Sequence, residues 1–306
     1  RSSRPGVMHA CGHDGHTAIL LGAARYLAET RNFNGRVVLI FQPAEEGLGG
    51  AQAMLDDGLF ERFHCDAVYA LHNWPGLPPG VIGVNPGPMM AAADQFSILI
   101  HGKGGHGAHP YQANDPVVIA AQLITALQTI VSRNVPAPDA AVLTVAAVNA
   151  GRVDAMNVIP HEARMVGTVR TFSPVVQEQI AARMQDVVDG IAAAFKARIE
   201  FEYKRLFPAT INTPHHAELV VDVATELFGA DRVVPDLVPS MGSADFSFML
   251  QQRPGAYFRL GQGGADSGCV LHNAAFDFND AVIPEGCAMF VRLVERSMPL
   301  AGGESQ

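Results

Sequence analysis

The spacing of apolar positions changes twice along the chain. In residues 15–30, Ile19, Ala23, Tyr26 and Leu27 recur at helical intervals. Asn34-Gly35 signals a turn. The apolar run that follows, residues 36–41, predicts a strand buried on both faces, as in a mainly parallel sheet. A helix near residues 51–57 stops at Gly58, and residues 67–71 predict another buried strand. This strand–helix alternation is α/β in style.

The middle third has a different rhythm. Phe96, Ile98 and Ile100 alternate along a strand, and residues 115–131 carry Ile119, Leu123, Ala126, Leu127 and Ile130 on one helical face. Residues 141–149 and 163–171 read as strands. Ser173-Pro174 opens a helix that runs to about Lys196, with Ser as the cap and Pro in the first turn. Ile199, Phe201 and Tyr203 alternate in a last strand. The order β-α-β-β-α-β is the ferredoxin-like split unit. Beyond it the α/β style resumes, with helices at 215–228 and 284–297 around a strand at 256–260. The expected architecture is an α/β domain of residues 1–91 and 205–306, interrupted by an inserted α+β domain of residues 92–204. Hinges are expected near residues 90–94 and 204–208.

Composition narrows the class. With 306 residues, 48% hydrophobic and 17% charged, the chain can fill about two domain cores, which excludes a disordered or collagen-like chain. Lys and Arg number 21 against 30 Asp and Glu, and the net charge of −9 lacks a basic cluster, so nucleic-acid binding is not expected. The apolar runs fall far short of a membrane span, and no signal peptide is evident. Four scattered cysteines (Cys11, Cys65, Cys269, Cys287) do not make a disulfide framework and suggest a reducing cytoplasm. The opening, Arg1 to Gly6, reads as a loop without an initiator Met, and a dense chemical motif follows at once. That placement leads us to expect a segment upstream.

The motif is His9-Ala-Cys11-Gly-His13-Asp14-Gly-His16. As a plain polar loop it would cap the next helix through Asp14. As chemistry, Cys and His two apart beside a carboxylate are ready metal donors. Glu45-Glu46 follows the apolar run at 36–41, and His72 ends the run at 67–71. Ligands gather at the carboxyl ends of α/β strands. His272 follows the strand at 256–260. Singly, the Glu pair reads as a solvated turn and each His as a structural residue. Together Cys11, His13, Glu46, His72 and His272 offer five donors, with Glu45 left as a base. Five exceed the three of a mononuclear catalytic zinc site and suggest two metals.

Met8-His-Ala-Cys-Gly-His-Asp-Gly-His16, Gln42-Pro-Ala-Glu-Glu-Gly47, Ala70-Leu-His72, Gly102-Lys-Gly-Gly-His106-Gly-Ala-His-Pro110, Asn157-Val-Ile-Pro160 and Leu271-His-Asn273 occur in this order. They closely resemble the bacterial hippurate hydrolases and N-acyl-amino-acid amidohydrolases, of the aminoacylase/carboxypeptidase superfamily. Plant indoleacetyl-amino-acid hydrolases are similar. The resemblance implies a metallopeptidase-like catalytic domain with an inserted lid and dimerisation domain, and hydrolysis of N-acyl amino acids. It further implies two divalent ions (Zn, Mn, Co or Ni), with Cys11 as bridging thiolate and His13, Glu46, His72 and His272 as the other ligands. Glu45 would be the general base, and His106 an oxyanion donor reaching a neighbouring subunit's site in a homodimer. Asn157 and Arg170 would contact the substrate. Two departures stand out: Ala244 where relatives carry an acidic residue, and no Asp-x-Asp-Ala-Leu-Pro segment at the front. The competing expectations are a dinuclear carboxypeptidase or dipeptidase, and a truncated, impaired remnant.

Overall fold

A computed structural model describes residues 4–267 and 269–300. The chain forms two compact units. One comprises the residues up to Met89, Thr210–Pro239 and the residues from Asp245 onward; the other comprises Met90–Ala209 and Ser240–Ala244.

In the first unit, Val68–Trp74 pairs in parallel with Gly255–Gly261, setting His72 opposite Arg259. Gly255–Gly261 pairs antiparallel with Ile82–Gly83, which pairs in parallel with Val233–Val234. Side chains alternate across this sheet. Leu71, Ala256, Phe258 and Leu260 face a core with Ile19, Val220, Val223, Met289 and Leu293 from helices His13–Thr30, Pro214–Phe228 and Ile283–Ser297. His72, Tyr257 and Arg259 occupy the alternate positions of the two central strands.

Three expectations fail in this unit. Residues 36–41 carry no strand, and Leu39 and Phe41 remain 40% and 44% exposed. An apolar run becomes a strand only where a second strand takes its N–H and C=O groups, and among the described residues none pairs with it. Nor does Asp14 cap the first helix. The cap is Gly12 at φ 87°, with no side-chain bond, and Asp14 lies inside the first turn. Tyr26, expected on the buried stripe, is exposed.

The second unit is a four-stranded antiparallel sheet. Ala92–His101 lies between Arg198–Phe207 and Glu162–Thr171, and Ala141–Ala150 completes the far edge. Helices Pro116–Arg133 and Pro174–Phe195 connect these strands in ferredoxin-like order. Asp115 caps the first helix by accepting from the Val117 N–H at 2.9 Å, and Ser173 caps the second. By length and composition Pro116–Arg133 is apolar enough to cross a bilayer. Its stripe of Ile119, Leu123, Leu127 and Ile130 is instead buried with Ile98, Met165, Ile180 and Met184 in this unit's core.

Candidate metal centre

Four chain segments of the first unit bring the expected donors together. Their ligand atoms fall into three sets, each within 4.8 Å: Cys11 with His13 and His72, Cys11 with Glu46 and His272, and His13 with Glu45 and Glu46. Cys11 belongs to two of these sets. Glu45, expected only as a base, shares the third, with its Oε2 3.8 Å from His13 Nε2.

The first segment turns into the opening helix at Gly12. Its φ is 87°, and a Cβ there would lie 2.5 Å from Asn73 Oδ1, so only glycine fits. That turn buries Cys11 and brings its Sγ within 3.4 Å of His72 Nε2. His72 Nδ1 lies 2.7 Å from the Asn73 carbonyl oxygen. A carbonyl only accepts, so Nδ1 carries the ring proton and the Nε2 lone pair faces Cys11. Carbonyl-anchored imidazoles of this kind are typical of metal ligands.

The second segment bears the glutamates. Ala44 adopts φ 58°, and the Gly47 N–H returns to the Glu45 carbonyl at 2.7 Å. This turn hangs from Asp245, which is fully buried. Both Asp245 oxygens lie 2.8 Å from Gln42 Nε2, and Oδ2 accepts from the Ala51 N–H at 2.9 Å. Asp245 was assigned no role from sequence. Nothing in the sequence ties it to Gln42, 203 positions away.

The strand Val68–Trp74 supplies His72 as the third segment, and the fourth is supplied by His272. It holds φ 64°, its N–H donates to the Ala10 carbonyl at 2.7 Å, and its Nε2 lies 3.2 Å from Glu46 Oε1. Of the four non-glycine residues at positive φ among those described, Arg31 and Lys196 end helices. Of the other two, Ala44 adjoins the donor Glu45 and His272 is itself a donor. Backbone strain of this kind concentrates where a site demands it.

The electrostatics fit divalent cations. Burial, reinforced by Glu46 and Glu45, pushes the Cys11 thiol up to about 12. Burial also raises Glu45 to about 7, with Asp245 and Glu46 adding to the effect. His72 and His13 are held below the usual imidazole range, chiefly by burial, so they present neutral nitrogens. A thiol and carboxylates that repel one another's charge, beside neutral imidazoles, are the donor set that a divalent ion would relieve.

His106, Asn157 and Arg170 belong to the second unit. His106 pairs with Val158, and the Gly107 N–H donates to the Asn157 carbonyl at 2.7 Å, so these two are neighbours. His106 Nδ1 accepts from the Ala108 N–H at 3.1 Å, which leaves the proton of a neutral ring on Nε2. Arg170 lies eight residues along its strand from Glu162, roughly 27 Å at strand rise, and donates to Ser243 Oγ at 3.1 Å.

Among known proteins, the hippurate hydrolase of Campylobacter jejuni is 41% identical over 293 residues, spanning 96% of this chain and 75% of that one. The N-acetyl-L-cysteine deacetylase of Bacillus subtilis is 41% identical over 283 residues, 92% and 66% of the two chains. A solved Bacillus subtilis structure, described as a dinuclear metal-binding peptidase of the M20 family, superposes with a TM-score of 0.81. It is 33% identical, and the match covers 97% of this chain and 77% of that one. The peptidase family M20/M25/M40 matches residues 1–296, so the motifs and donor cluster lie inside that family's span and the chain belongs to it.

Proposed function

We propose that this chain is a metal-dependent amidohydrolase that cleaves the amide bond of N-acyl amino acids, releasing a carboxylic acid and a free amino acid. One observation carries the reading: a single buried thiol, Cys11, is common to two donor sets, with Glu45 beside them. Such a cluster would hold two divalent ions, with Cys11 among the donors. His13, Glu46, His72 and His272 complete the set, and Zn, Mn, Co and Ni all suit thiolate, imidazole and carboxylate together. The hydrolase and deacetylase relatives support the substrate class.

Such ions, when bound, supply Lewis acidity to the scissile carbonyl and to the attacking water. Glu45 takes the proton from that water and returns one to the departing amine nitrogen. Its raised affinity for a proton suits both halves of the task. His106, with a proton on Nε2, serves as donor to the tetrahedral oxyanion, and Asn157 and Arg170 bind the substrate's polar groups. The reading includes a homodimer assembled through the inserted domain of residues 92–204 and a cytoplasmic setting, to which four free cysteines are suited.

A hydrolysis panel tests this. The metal-reconstituted protein is given N-benzoyl and N-acetyl amino acids beside dipeptides, and amino-acid release is measured. Release from the N-acyl substrates is expected. Rapid dipeptide cleavage without such release would overturn the assignment in favour of a dipeptidase.

A further inference from the structure

The histidine-rich opening motif contains a ring that joins none of the three donor sets. His16 points back into the fold. Its Nε2 lies 2.7 Å from Asn73 Oδ1 and 3.0 Å from the Asn73 backbone nitrogen; a protonated Nε2 donates to Oδ1 and an unprotonated one accepts from the Asn73 N–H, so either tautomer makes one hydrogen bond to that residue. Asn73 is fully buried, and its Nδ2 donates to Gln262 Oε1 at 2.8 Å. Asn279 Nδ2 in turn donates to the Gln262 carbonyl at 2.9 Å. The Asn73 carbonyl accepts the His72 Nδ1 proton. The His16 ring also packs against His72, with centroids 4.6 Å apart and planes at 66°, and meets Phe278 on another side at 6.3 Å.

We infer that His16 is a positioning residue for the metal centre, gripping Asn73 and bracing the His72 ring so that His72 presents its Nε2 lone pair beside Cys11. His16 touches no reacting atom in this scheme. It acts through one contact on each of two neighbours, a hydrogen bond to Asn73 and an edge contact on the His72 imidazole. Outer partners that orient a ligating histidine typically change metal affinity or activity by about 10–100-fold when removed. The inference rests on His72 being a metal ligand, and its test must separate the two claims.

The experiment uses the full chain, Co(II) as the probe metal, and four proteins: wild type, H16F, H16N and H72A. H16F keeps the packing and loses the ring nitrogens; H16N shortens the reach to Asn73. Nitrogen-15 NMR of the metal-free wild type reads the His72 tautomer. Chelator competition reads Co(II) affinity, and circular dichroism checks folding. The wild type is expected to show the Nδ1–H form at His72. H16F and H16N are expected to bind Co(II) about 10–100-fold more weakly, and H16F to lose the single-tautomer signature. An Nε2–H form at His72 in the wild type overturns the inference whatever the variants do. So does wild-type Co(II) affinity in either folded His16 variant while H72A is weakened. Wild-type affinity in H72A instead overturns the ligand reading on which the inference stands.

Discussion

Gln42 and Asp245 stand 203 positions apart, yet Gln42 Nε2 meets both Asp245 carboxylate oxygens at 2.8 Å, and the Glu45–Glu46 turn is slung between that contact and the Ala51 N–H on the same carboxylate. Asp245 thus holds the turn and also presses electrostatically on Glu45, second only to burial in raising that residue's proton affinity. Asp245→Asn removes the charge with little change of shape. In the metal-free protein, carboxyl carbon-13 NMR is expected to show Glu45 titrating near 7 in the wild type and lower in the variant. An unchanged or raised midpoint would show that Asp245 does not act on Glu45. Asp245→Ala also strips the Ala51 N–H of its acceptor, and a stability loss of about 1–3 kcal/mol is expected in denaturant titration.

The opening turn makes a prediction that separates backbone strain from collision. Gly12 and Gly47 have nearly the same φ, 87° and 84°, but only at Gly12 would a Cβ strike another group, Asn73 at 2.5 Å. Gly47→Ala should cost about 1–2 kcal/mol, the ordinary penalty of left-handed backbone. Gly12→Ala should cost clearly more and also weaken metal retention. Equal losses in the two variants would mean that the Gly12 turn is not pressed against Asn73.

Cys11 sets a pH dependence whose sign follows from its environment. The folded state raises its proton affinity from the ordinary 9.0 to about 12, so the stability tied to the neutral thiol is complete below about 9. It is lost as pH climbs towards 12, because the unfolded chain gives up that proton first. The metal-free wild type should therefore lose stability across that window faster than Cys11→Ala. Cation binding works against the same proton. Calorimetry in buffers of different ionisation enthalpy should count about one fewer proton released per binding event in Cys11→Ala, and wild-type affinity should fall on acidification.

Much of this fold was readable because amphipathic helices carry their own evidence. The stripe through Ile119, Leu123, Leu127 and Ile130, the caps at Asp115 and Ser173, and the alternation along Phe96, Ile98 and Ile100 all appear in the structure. Residues 36–41 show where such reading fails. Apolar content states that a strand would be buried, but pairing depends on another strand, and none lies beside this run among the described residues. The two-residue strands Ile82–Gly83 and Val233–Val234 are too short for any periodicity to register. In the donor cluster, residue types single out Cys11, His13, Glu46, His72 and His272, but the strand expected before Glu46 is absent and His72 alone of these lies on a strand among the described residues. The supports around them (Asn73, Asp245, Gln262) are ordinary amides and acids, distinguished only by burial and by partners far away in sequence.

Glu45 offers the clearest separation of binding from chemistry. Glu45→Gln keeps the size of the side chain and removes its capacity to take a proton. kcat on an N-acyl amino acid should fall about 10²–10⁴-fold, with bound metal unchanged and KM little altered. Unaltered kcat would remove Glu45 from the role of base. Loss of metal together with activity would place it among the ligands, as its proximity to His13 would then explain.

The most direct measurement combines metal counting with turnover on one preparation: the metal-reconstituted chain, its bound divalent ions quantified by mass spectrometry, assayed for amino-acid release from N-benzoylglycine and from N-acetyl amino acids. Two ions per chain, falling in Cys11→Ala, together with release of the free amino acid, are the expected result. A chain that retains no divalent ion, or that hydrolyses these substrates equally well after its metal is stripped, would contradict the two-metal amidohydrolase.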